Sequence, residues 1–513
     1  MTTATSVEPS STNTYGRDLL ASFVVFLVAL PLCMGVAIAS GLPPTSGIIT
    51  GIIGGIVVGY LAGSPLQVSG PAAGLTVLVY DLVHLHGPEM LGVIVLFAGL
   101  IQLAAGMAKL GQWFRAVSPA VIHGMLAGIG VLILVSQLHV MMDGRPFGTG
   151  VQNLVNVPGA LLDAIRIGDS HLTAGEIGIL TIATIVGWSS LAPKSWRMVP
   201  APLVGVLVAM LAAAVFHLDA IKYIDVPSNI LSVTVLPTPE RLMRLFEPAI
   251  LLGVVSIAFI ASAETLLCAT AVDQMHTGER TRYNKELKAQ GVGNLLCGML
   301  GVLPMTGVIV RSGANVEAGG KTRLSAILHG VWLLLFATLL PFTLRYVPVS
   351  ALAAVLVYTG YKLAYPKVVP ELLKYGKSEV FIYVVTIVAI VTTDLLRGVL
   401  LGLALSLGKL IYVFSQLSIR KAVGEGKRID LHLDGSATLV RLPSLATALE
   451  ELPAGAEVHV HIGDLNYIDH ACIDLLTSWD RQHQASGGSL TIEWDELAQK
   501  YHSRRSGAQK PSQ

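Results

Sequence analysis

Long apolar runs, separated by short polar loops, fill most of the chain up to residue 416. A helix needs roughly 20 apolar residues to cross a bilayer, and the runs therefore predict about fourteen helical spans. This pattern indicates an all-α polytopic membrane domain. The approximate limits are 18–39, 45–63, 72–85, 89–109, 117–142, 174–192, 199–217, 247–273, 285–303, 307–317, 323–343, 348–364, 379–395 and 397–416.

Two of these spans, 72–85 and 307–317, are too short for a full crossing, and each follows a break rich in glycine and proline. The breaks read SGPAAG at residues 69–74 and LPMTG at residues 303–307. They precede the third span of the first seven and the third span of the second seven, so the two halves predict inverted repeats. Matching interrupted spans in two halves point to a transporter binding site, whereas a kink between helices would explain either break alone.

A half-helix that begins at mid-membrane exposes unpaired N–H groups and the positive end of its dipole. Two such ends can therefore bind an anion without a charged side chain. Two charged side chains also lie in these regions, and each has a structural alternative. Glu264, deep in an apolar span, is a candidate proton carrier, cation ligand, partner of Arg311, or structural hydrogen-bonding group. Arg311, in the first turns of the second short helix, adds positive charge beside the anion site or pairs structurally with Glu264.

Composition excludes several other classes of protein. Hydrophobic residues make up 53% of the chain and charged residues 13%, whereas a soluble domain carries about 25% charge. The net charge of +1 argues against a nucleic-acid partner. The four cysteines show no CxxC or Cys/His ligand spacing, which predicts no metal site. No nucleophile–base pair, phosphate loop or redox motif is found, so we expect neither an enzyme nor a cofactor.

Basic residues concentrate in alternate short loops, among them Lys109, Arg282 and Lys321. The positive-inside rule makes these loops cytoplasmic and both termini with them, in the cell (inner) membrane. Residues 1–16 are rich in serine and threonine and are predicted to be disordered. They lack a basic leader region, so we expect the first helix to be retained.

The composition changes after about residue 420. Residues 458–462 alternate as a strand, residues 471–482 form an amphipathic helix, and residues 489–494 form another strand. The chain is thus divided into a disordered segment 1–16, a transmembrane domain 17–420 and a small α/β domain and tail 421–513. The two repeats of the transmembrane domain cover about 17–217 and 247–416.

Several motifs resemble those of the SulP family of inorganic anion transporters, to which pendrin and prestin belong. The likeness lies in LP at 30–31, GLPPTSG at 41–47, GSPLQVSGP at 63–71, RS at 311–312 and EAGGKTR at 317–323. The resemblance implies fourteen helices, a core domain that moves against a gate domain, and a homodimer. It also identifies the tail as a shortened STAS domain, in which the family's phospho-acceptor serine falls at Ala471.

The resemblance also implies a set of substrate-binding residues. They are Ala72, Ala73 and Gly74 of the third helix, Cys268 of the eighth, and Val308, Ile309, Val310 and Arg311 of the tenth. Glu264 of the eighth helix is implied as the coupling-ion residue. Sodium-coupled bicarbonate members have Asp at position 264, Thr at positions 268 and 72, and an Ala-Thr pair at 308–309. The chain lacks those hydroxyl groups, so a buried glutamate predicts proton coupling instead.

The leading hypothesis is a secondary active transporter of sulfate or bicarbonate, coupled to protons and working by elevator-like alternating access. A sodium-coupled bicarbonate transporter and an uncoupled anion exchanger or channel are the alternatives within anion transport. A nucleobase permease would need hydrogen-bonding side chains where Val308 and Ile309 stand. A membrane sensor would bind its ligand without transporting it.

Overall fold

The computed structural model describes residues 11–112, 117–147, 149–167, 169–193, 196, 199–224, 230–364, 368–424, 427–462 and 465–492. The chain forms two compact units, Met1–Leu403 and Ala404–Gln513. The predicted disorder of residues 1–10 lies outside the described residues, and the first helix already begins at Ser11.

The helices of the membrane domain follow one another with short connections. They are α1 (Ser11–Ala39), α2 (Pro44–Ile53), α3 (Gly59–Leu61), α4 (Thr76–His86), α5 (Pro88–Met107), α6 (Pro119–Met141), α7 (Gly150–Ile167), α8 (Asp169–Leu191), α9 (Ala201–Val215), α10 (Pro239–Met243), α11 (Pro248–Met275), α12 (Tyr283–Met299), α13 (Ile309–Glu317), α14 (Arg323–Leu339), α15 (Val349–Ala364), α16 (Val369–Lys374), α17 (Lys377–Thr392) and α18 (Leu395–Phe414). Every one of the predicted spans coincides with one of these helices, because a backbone surrounded by apolar side chains must satisfy its hydrogen bonds internally.

Seven helices within the described residues are long and apolar enough to cross a membrane. They are Thr14–Ala39, Pro44–Leu61, Pro88–Met107, Pro119–Met141, Ser170–Leu191, Pro248–Met275 and Leu395–Phe414. Ala73–His86, Ala201–Val215 and Arg323–Leu339 are apolar but shorter. The number of complete crossings therefore stays a prediction.

Helices α2 and α3 join through a π-helical segment, Gly54–Val58, where glycines let the backbone approach its neighbours closely. A Cβ on Gly55 would lie 2.6 Å from the Cα of Gly330 in α14, and one on Gly54 would lie 2.6 Å from the carbonyl oxygen of Ser69. The glycines of this span thus allow close packing of neighbouring backbones.

Helix α7 was not predicted, since Gln152, Asn153, Asn156 and Asp163 gave residues 143–173 the composition of a loop. The structure shows a helix with exposed apolar side chains such as Leu154 and Val155. Tertiary packing against α6 and α8 provides the stabilisation that the local sequence does not indicate.

The second unit is an α/β domain whose strands begin at Leu417, a few residues before the predicted limit at 421. Its elements are β3 (Leu417–Val423), β4 (Arg428–Ala437), α19 (Leu442–Glu450), β5 (Glu457–His461), β6 (Leu465–Ile468), α20 (His470–Ala485) and β7 (Ser489–Ile492). The sheet order is β3-β4-β5-β7, β6 pairs with β4, and only β3 pairs antiparallel. The strand and helix predicted at 458–462 and 471–482 are present, and residues 493–494 of the last predicted strand lie outside the described residues.

Alternate residues of β4 and β5 form the core of this domain. Leu431, Leu433, Val458 and Val460 are buried in one hydrophobic cluster with apolar residues of α19 and α20 such as Leu449. The residues between them are polar and less buried, which is the pattern of a sheet covered by helices on one face.

Candidate functional site

The two interrupted helices meet at a two-stranded antiparallel sheet. Strand β1 (Ser69–Pro71) pairs with β2 (Met305–Gly307), with Gly70 opposite Thr306. After β1 the chain turns through a short 3-10 segment into α4, and after β2 it enters α13 directly. We call β1, β2 and the first turns of α4 and α13 the crossing site. The pairing brings together two groups of predicted binding residues, 72–74 and 308–311, although more than two hundred residues separate them in the sequence.

The predicted binding residues differ in exposure. Val310 is exposed, and Ala73, Val308 and Ile309 are partly exposed. Four others are buried: Ala72, Gly74, Cys268 and Arg311. The starts of both half-helices thus contain partly exposed residues with small or apolar side chains, and a site built from helix N-termini needs no charged side chain there.

Glu264, on α11, lies against the first turn of α4. A Cβ on Gly74 would lie 3.0 Å from each oxygen of its carboxyl group, so only glycine allows this approach. Thr306 of β2 and the backbone of Gly74 lie beside its carboxyl group. Its Oε2 atom has no hydrogen-bond partner among the described residues, and the side chain is partly exposed. The carboxyl group can therefore bind a proton or cation that reaches the crossing site.

Arg311 is fully buried, with 1% of its surface exposed, and its guanidinium group packs on β1. A Cβ on Gly70 would lie 2.0 Å from Nη1. The Cys33 thiol of α1 lies within hydrogen-bonding reach of this side chain. The Nε and Nη1 atoms have no acceptor among the described residues.

Arg311 and Glu264 do not form an ion pair within the described part of the chain, where every ion pair joins other residues. The pairing that the sequence left open as an alternative for both residues is therefore not formed. Arg311 instead leaves a positive charge without a neighbouring carboxylate under the crossing site. Such a charge stabilises an anion strongly because the surroundings have a low dielectric constant.

Cys268 is fully buried and packs against α13. Its Sγ atom is 3.6 Å from Oγ of Ser312, which donates to the Val308 carbonyl at 2.8 Å and accepts from the Val68 amide at 2.9 Å. Leu66 and Val272 complete its apolar surroundings. Cys268 thus supports the first turn of α13, and it is not within the part of the site open to an anion.

A small apolar cavity of about 20 Å³ lies beside α11, the helix that carries Glu264. Ala263 and Leu267, the neighbours of Glu264 along the chain and one turn on, line it from α11. The other lining residues are Val117, Val121, Ile122, Met125, Phe259, Val399 and Leu403. Neither Glu264 nor any residue of β1, β2 or the first turns of α4 and α13 is among these lining residues, so the cavity lies beside α11 and not within the crossing site.

We expect Gly70→Ala to impair anion binding, because the new methyl group would displace the guanidinium group of Arg311. A displacement of about 1 Å in a binding site can cost roughly tenfold or more, and uptake KM is the measurement. Gly187→Ala in α8 is the matched control, since nothing lies within 4 Å of a Cβ there. Equal KM values for the two variants would contradict the placement of Arg311 against β1.

The α/β domain has its own charged cluster. The guanidinium of Arg428 and the imidazole of His461 bond to Oδ1 of Asp430 at 2.9 and 3.0 Å, and together they lower the pKa of Asp430 to about 2. Asp469 caps α20 by accepting a bond from the Cys472 amide at 2.9 Å. Burial raises the pKa of Asp469, but the hydrogen bonds from Cys472 and Leu439 and the nearby His470 together lower it by more, so the pKa lies below its usual value.

Helix α12 supplies residues that hold the crossing site from outside and that were not predicted from the sequence. Glu286, Gln290 and Asn294 are fully buried and bond to β1, to β2 or to the segment before β1. Their spacing of four residues, which places them on one face of a helix, was the available signal.

Comparison with known proteins agrees with this architecture. A model described as the sulfate permease family matches residues 16–386, and one described as Mlab, STAS domain matches residues 422–495. YvdB of Bacillus subtilis, whose name proposes sulfate transport, is 29% identical over 399 residues, which are 76% of this chain and 73% of that protein. The bicarbonate transporter BicA of Picosynechococcus is 25% identical over 361 residues, 67% of this chain and 61% of that protein.

Solved structures show the same fold. The transmembrane domain of a cyanobacterial bicarbonate transporter, BicA, has a TM-score of 0.63 at 23% identity and covers 75% of this chain and 97% of its own. The murine Slc26a9 anion transporter in its inward-facing state has a TM-score of 0.74 at 14% identity and covers 96% of this chain and 90% of its own.

The chain has many apolar helices, and two of them are interrupted where they meet. This architecture is that of a multi-pass membrane transporter. The chain belongs to the sulfate permease family, and its C-terminal unit is a STAS domain. The resemblance found in the motifs of the sequence is therefore confirmed.

Proposed function

We propose that this protein transports small inorganic anions, with sulfate and bicarbonate as the leading substrates, and that the crossing site binds the anion. The observation that carries the proposal is that Arg311 has no ion-pair partner among the described residues and packs on the small sheet from which both half-helices start. Backbone N–H groups and a fixed charge favour any small anion of suitable size. The relatives named for sulfate and for bicarbonate transport support the same substrate class.

The proposed coupling ion is the proton, carried by Glu264. An ionised carboxylate beside the site repels an anion, whereas the neutral acid does not, so proton and anion bind together and move in symport. The chain has Ala72, Cys268 and Ile309 where the sodium-coupled members that it resembles have threonine. A sodium-coupled bicarbonate transporter and an uncoupled exchanger or channel are the rival functions.

The proposed mechanism is elevator-like alternating access in a homodimer of the cell (inner) membrane, with both termini in the cytoplasm. The cavity beside α11 supports this mechanism, since it separates the helix that carries Glu264 from α6 and α18 and is lined by apolar side chains. Apolar surfaces can slide past one another without breaking hydrogen bonds. The likeness to a transporter solved in the inward-facing state supports the same cycle.

Uptake into proteoliposomes tests this function. Purified full-length protein is reconstituted and supplied with radiolabelled sulfate, bicarbonate or chloride under an imposed proton gradient, sodium gradient or neither. We expect sulfate or bicarbonate uptake that an inward proton gradient stimulates. Stimulation by sodium alone would favour the sodium-coupled rival. Anion currents that require neither a proton nor a sodium gradient would favour the channel, and binding without uptake would favour a sensor.

We expect a chain that ends at Gln416 to bind the anion with a Kd within about threefold of the full chain, because a separate domain can be removed without dismantling its neighbour. The cut falls between the end of α18 at Phe414 and the start of β3 at Leu417. Titration of the purified, monodisperse protein measures the Kd. A well-folded truncation without anion binding would show that the STAS domain is part of the binding unit.

A further inference from the structure

Helix α12 carries a row of polar residues that the proposed anion site does not itself contain. Glu286, Gln290 and Asn294 follow one another at intervals of four and are 0% exposed. Residues four apart share one face of a helix, so the three side chains form a continuous stripe. We call this stripe the α12 ladder. Three buried polar side chains are costly in a membrane domain unless hydrogen bonds satisfy them.

The first member of the ladder holds the segment that leads into β1. Oε2 of Glu286 accepts hydrogen bonds from the amides of Gly63 and Ser64 at 2.7 and 2.9 Å. Its Oε1 accepts from Nε2 of Gln290 at 3.0 Å. The same Nε2 donates to Oγ of Ser69 in β1 at 2.5 Å. Gln290 therefore bonds the ladder to β1, and Glu286 bonds it to the segment that precedes β1.

The last member of the ladder holds β2. Nδ2 of Asn294 donates to the Met305 carbonyl at 3.0 Å, and the Met305 amide donates to Oδ1 at 2.8 Å. This two-point bond imitates the pairing of a neighbouring strand, on a strand whose Met305 already stands opposite Pro71 of β1. Asn294 also donates to Oε1 of Gln102 at 2.7 Å, and Gln102 donates to Ser262 of α11 at 3.2 Å.

We propose that the α12 ladder is a positioning device: Gln290 and Asn294 fix β1 and β2 relative to each other, and thereby aim the first turns of α4 and α13 at one anion. The bonds of the ladder go to β1, to β2 and to the backbone before β1, and backbone direction decides where the half-helix N–H groups point. Because the anion is held by those groups, a small error in strand position weakens its binding. This inference rests on the proposed function of the crossing site.

Asn153 provides a matched control. It is also a buried asparagine, and it makes the same two-point bond with the backbone of one residue, Phe147, at 2.9 and 2.7 Å. It lies in α7, away from β1 and β2. Removing either asparagine side chain therefore deletes equivalent hydrogen bonds, and only Asn294→Ala frees a strand of the crossing site.

The test measures sulfate and bicarbonate uptake by full-length protein in proteoliposomes, together with melting temperature. We expect Asn294→Ala to raise KM about tenfold, with Vmax changed much less, and Asn153→Ala to lower the melting temperature similarly with KM unchanged. Gln290→Ala, which frees β1, is expected to raise KM as well and decides the matter if Asn294→Ala yields no folded protein. KM values equal to that of Asn153→Ala overturn the positioning role.

The failure of the proposed function has a different signature. If the parent chain neither binds nor takes up sulfate, bicarbonate or chloride, the anion site itself is refuted, and the positioning role falls with it. If the parent is active and Asn294→Ala and Gln290→Ala lose Vmax without any change in KM, the ladder serves stability or movement, and the positioning role alone is refuted.

Discussion

Replacing Arg311 with methionine is expected to weaken anion binding about a hundredfold without lowering the melting temperature. A unit charge about 6 Å from the anion, at an effective dielectric constant of about 20, contributes about 2–3 kcal/mol, and 1.4 kcal/mol corresponds to about tenfold in affinity. Methionine keeps most of the volume of the fully buried side chain. Nε and Nη1 of Arg311 have no acceptor among the described residues. Since Arg311 is not paired with a carboxylate there, its replacement does not leave a buried carboxylate without a partner.

The melting temperature separates this role from a structural one. A buried charge without a partner destabilises the fold, so its removal should leave the protein equally or more stable. Arg311→Lys keeps the charge and serves as the control, with a KM close to that of the parent. Titration calorimetry and uptake KM measure binding, and a methionine variant with the affinity of the parent would disprove the role of Arg311 in the site.

The second large effect is expected at Glu264. Glu264→Gln imitates the protonated acid, so the variant should bind and exchange the anion but lose the stimulation of uptake by an inward proton gradient. The reason is that no carboxylate remains to take up a proton as the anion arrives. Uptake at matched anion gradients, with and without the proton gradient, measures the coupling.

Glu317→Gln is the control for this experiment, because Glu317 ends α13 and is exposed, away from the first turn of that helix. It should keep its response to the proton gradient. A Glu264→Gln variant that is still driven as well as the parent would show that the proton binds elsewhere. Loss of a sodium-driven component in the same variant would instead identify Glu264 as a cation ligand.

The sequence predicted the membrane helices well because their signal is local. An apolar run and a Gly/Pro break can be recognised without knowing the rest of the fold. It did not predict α7, because the polar residues of that segment are typical of a loop. Nor did it predict β4, although Ile429, Leu431 and Leu433 alternate with polar residues there. The alternating signal of β4 was present and was not used.

The candidate site was predictable in position but not in detail. The half-helix breaks located residues 72–74 and 308–311, which the β1–β2 pairing brings together. The direction of Arg311 was not predictable, since an arginine in the first turn of α13 can turn toward α11 or toward α1. Packing against Gly70 and Cys33 decides between them, and both contacts are distant in sequence. The partners of Asn294 are non-local for the same reason.

The pairing of β1 with β2 also constrains how the protein is made. Residues 69–71 emerge from the ribosome long before residues 305–307, yet each strand is the partner of the other. Until the later strand arrives, the earlier one has backbone groups without their final partners, and lipid cannot satisfy them. The first half must therefore remain in contact with water, the insertion machinery or a temporary partner during synthesis. Because closing so long a loop is slow, we expect the crossing site to be one of the last parts of the membrane domain to form.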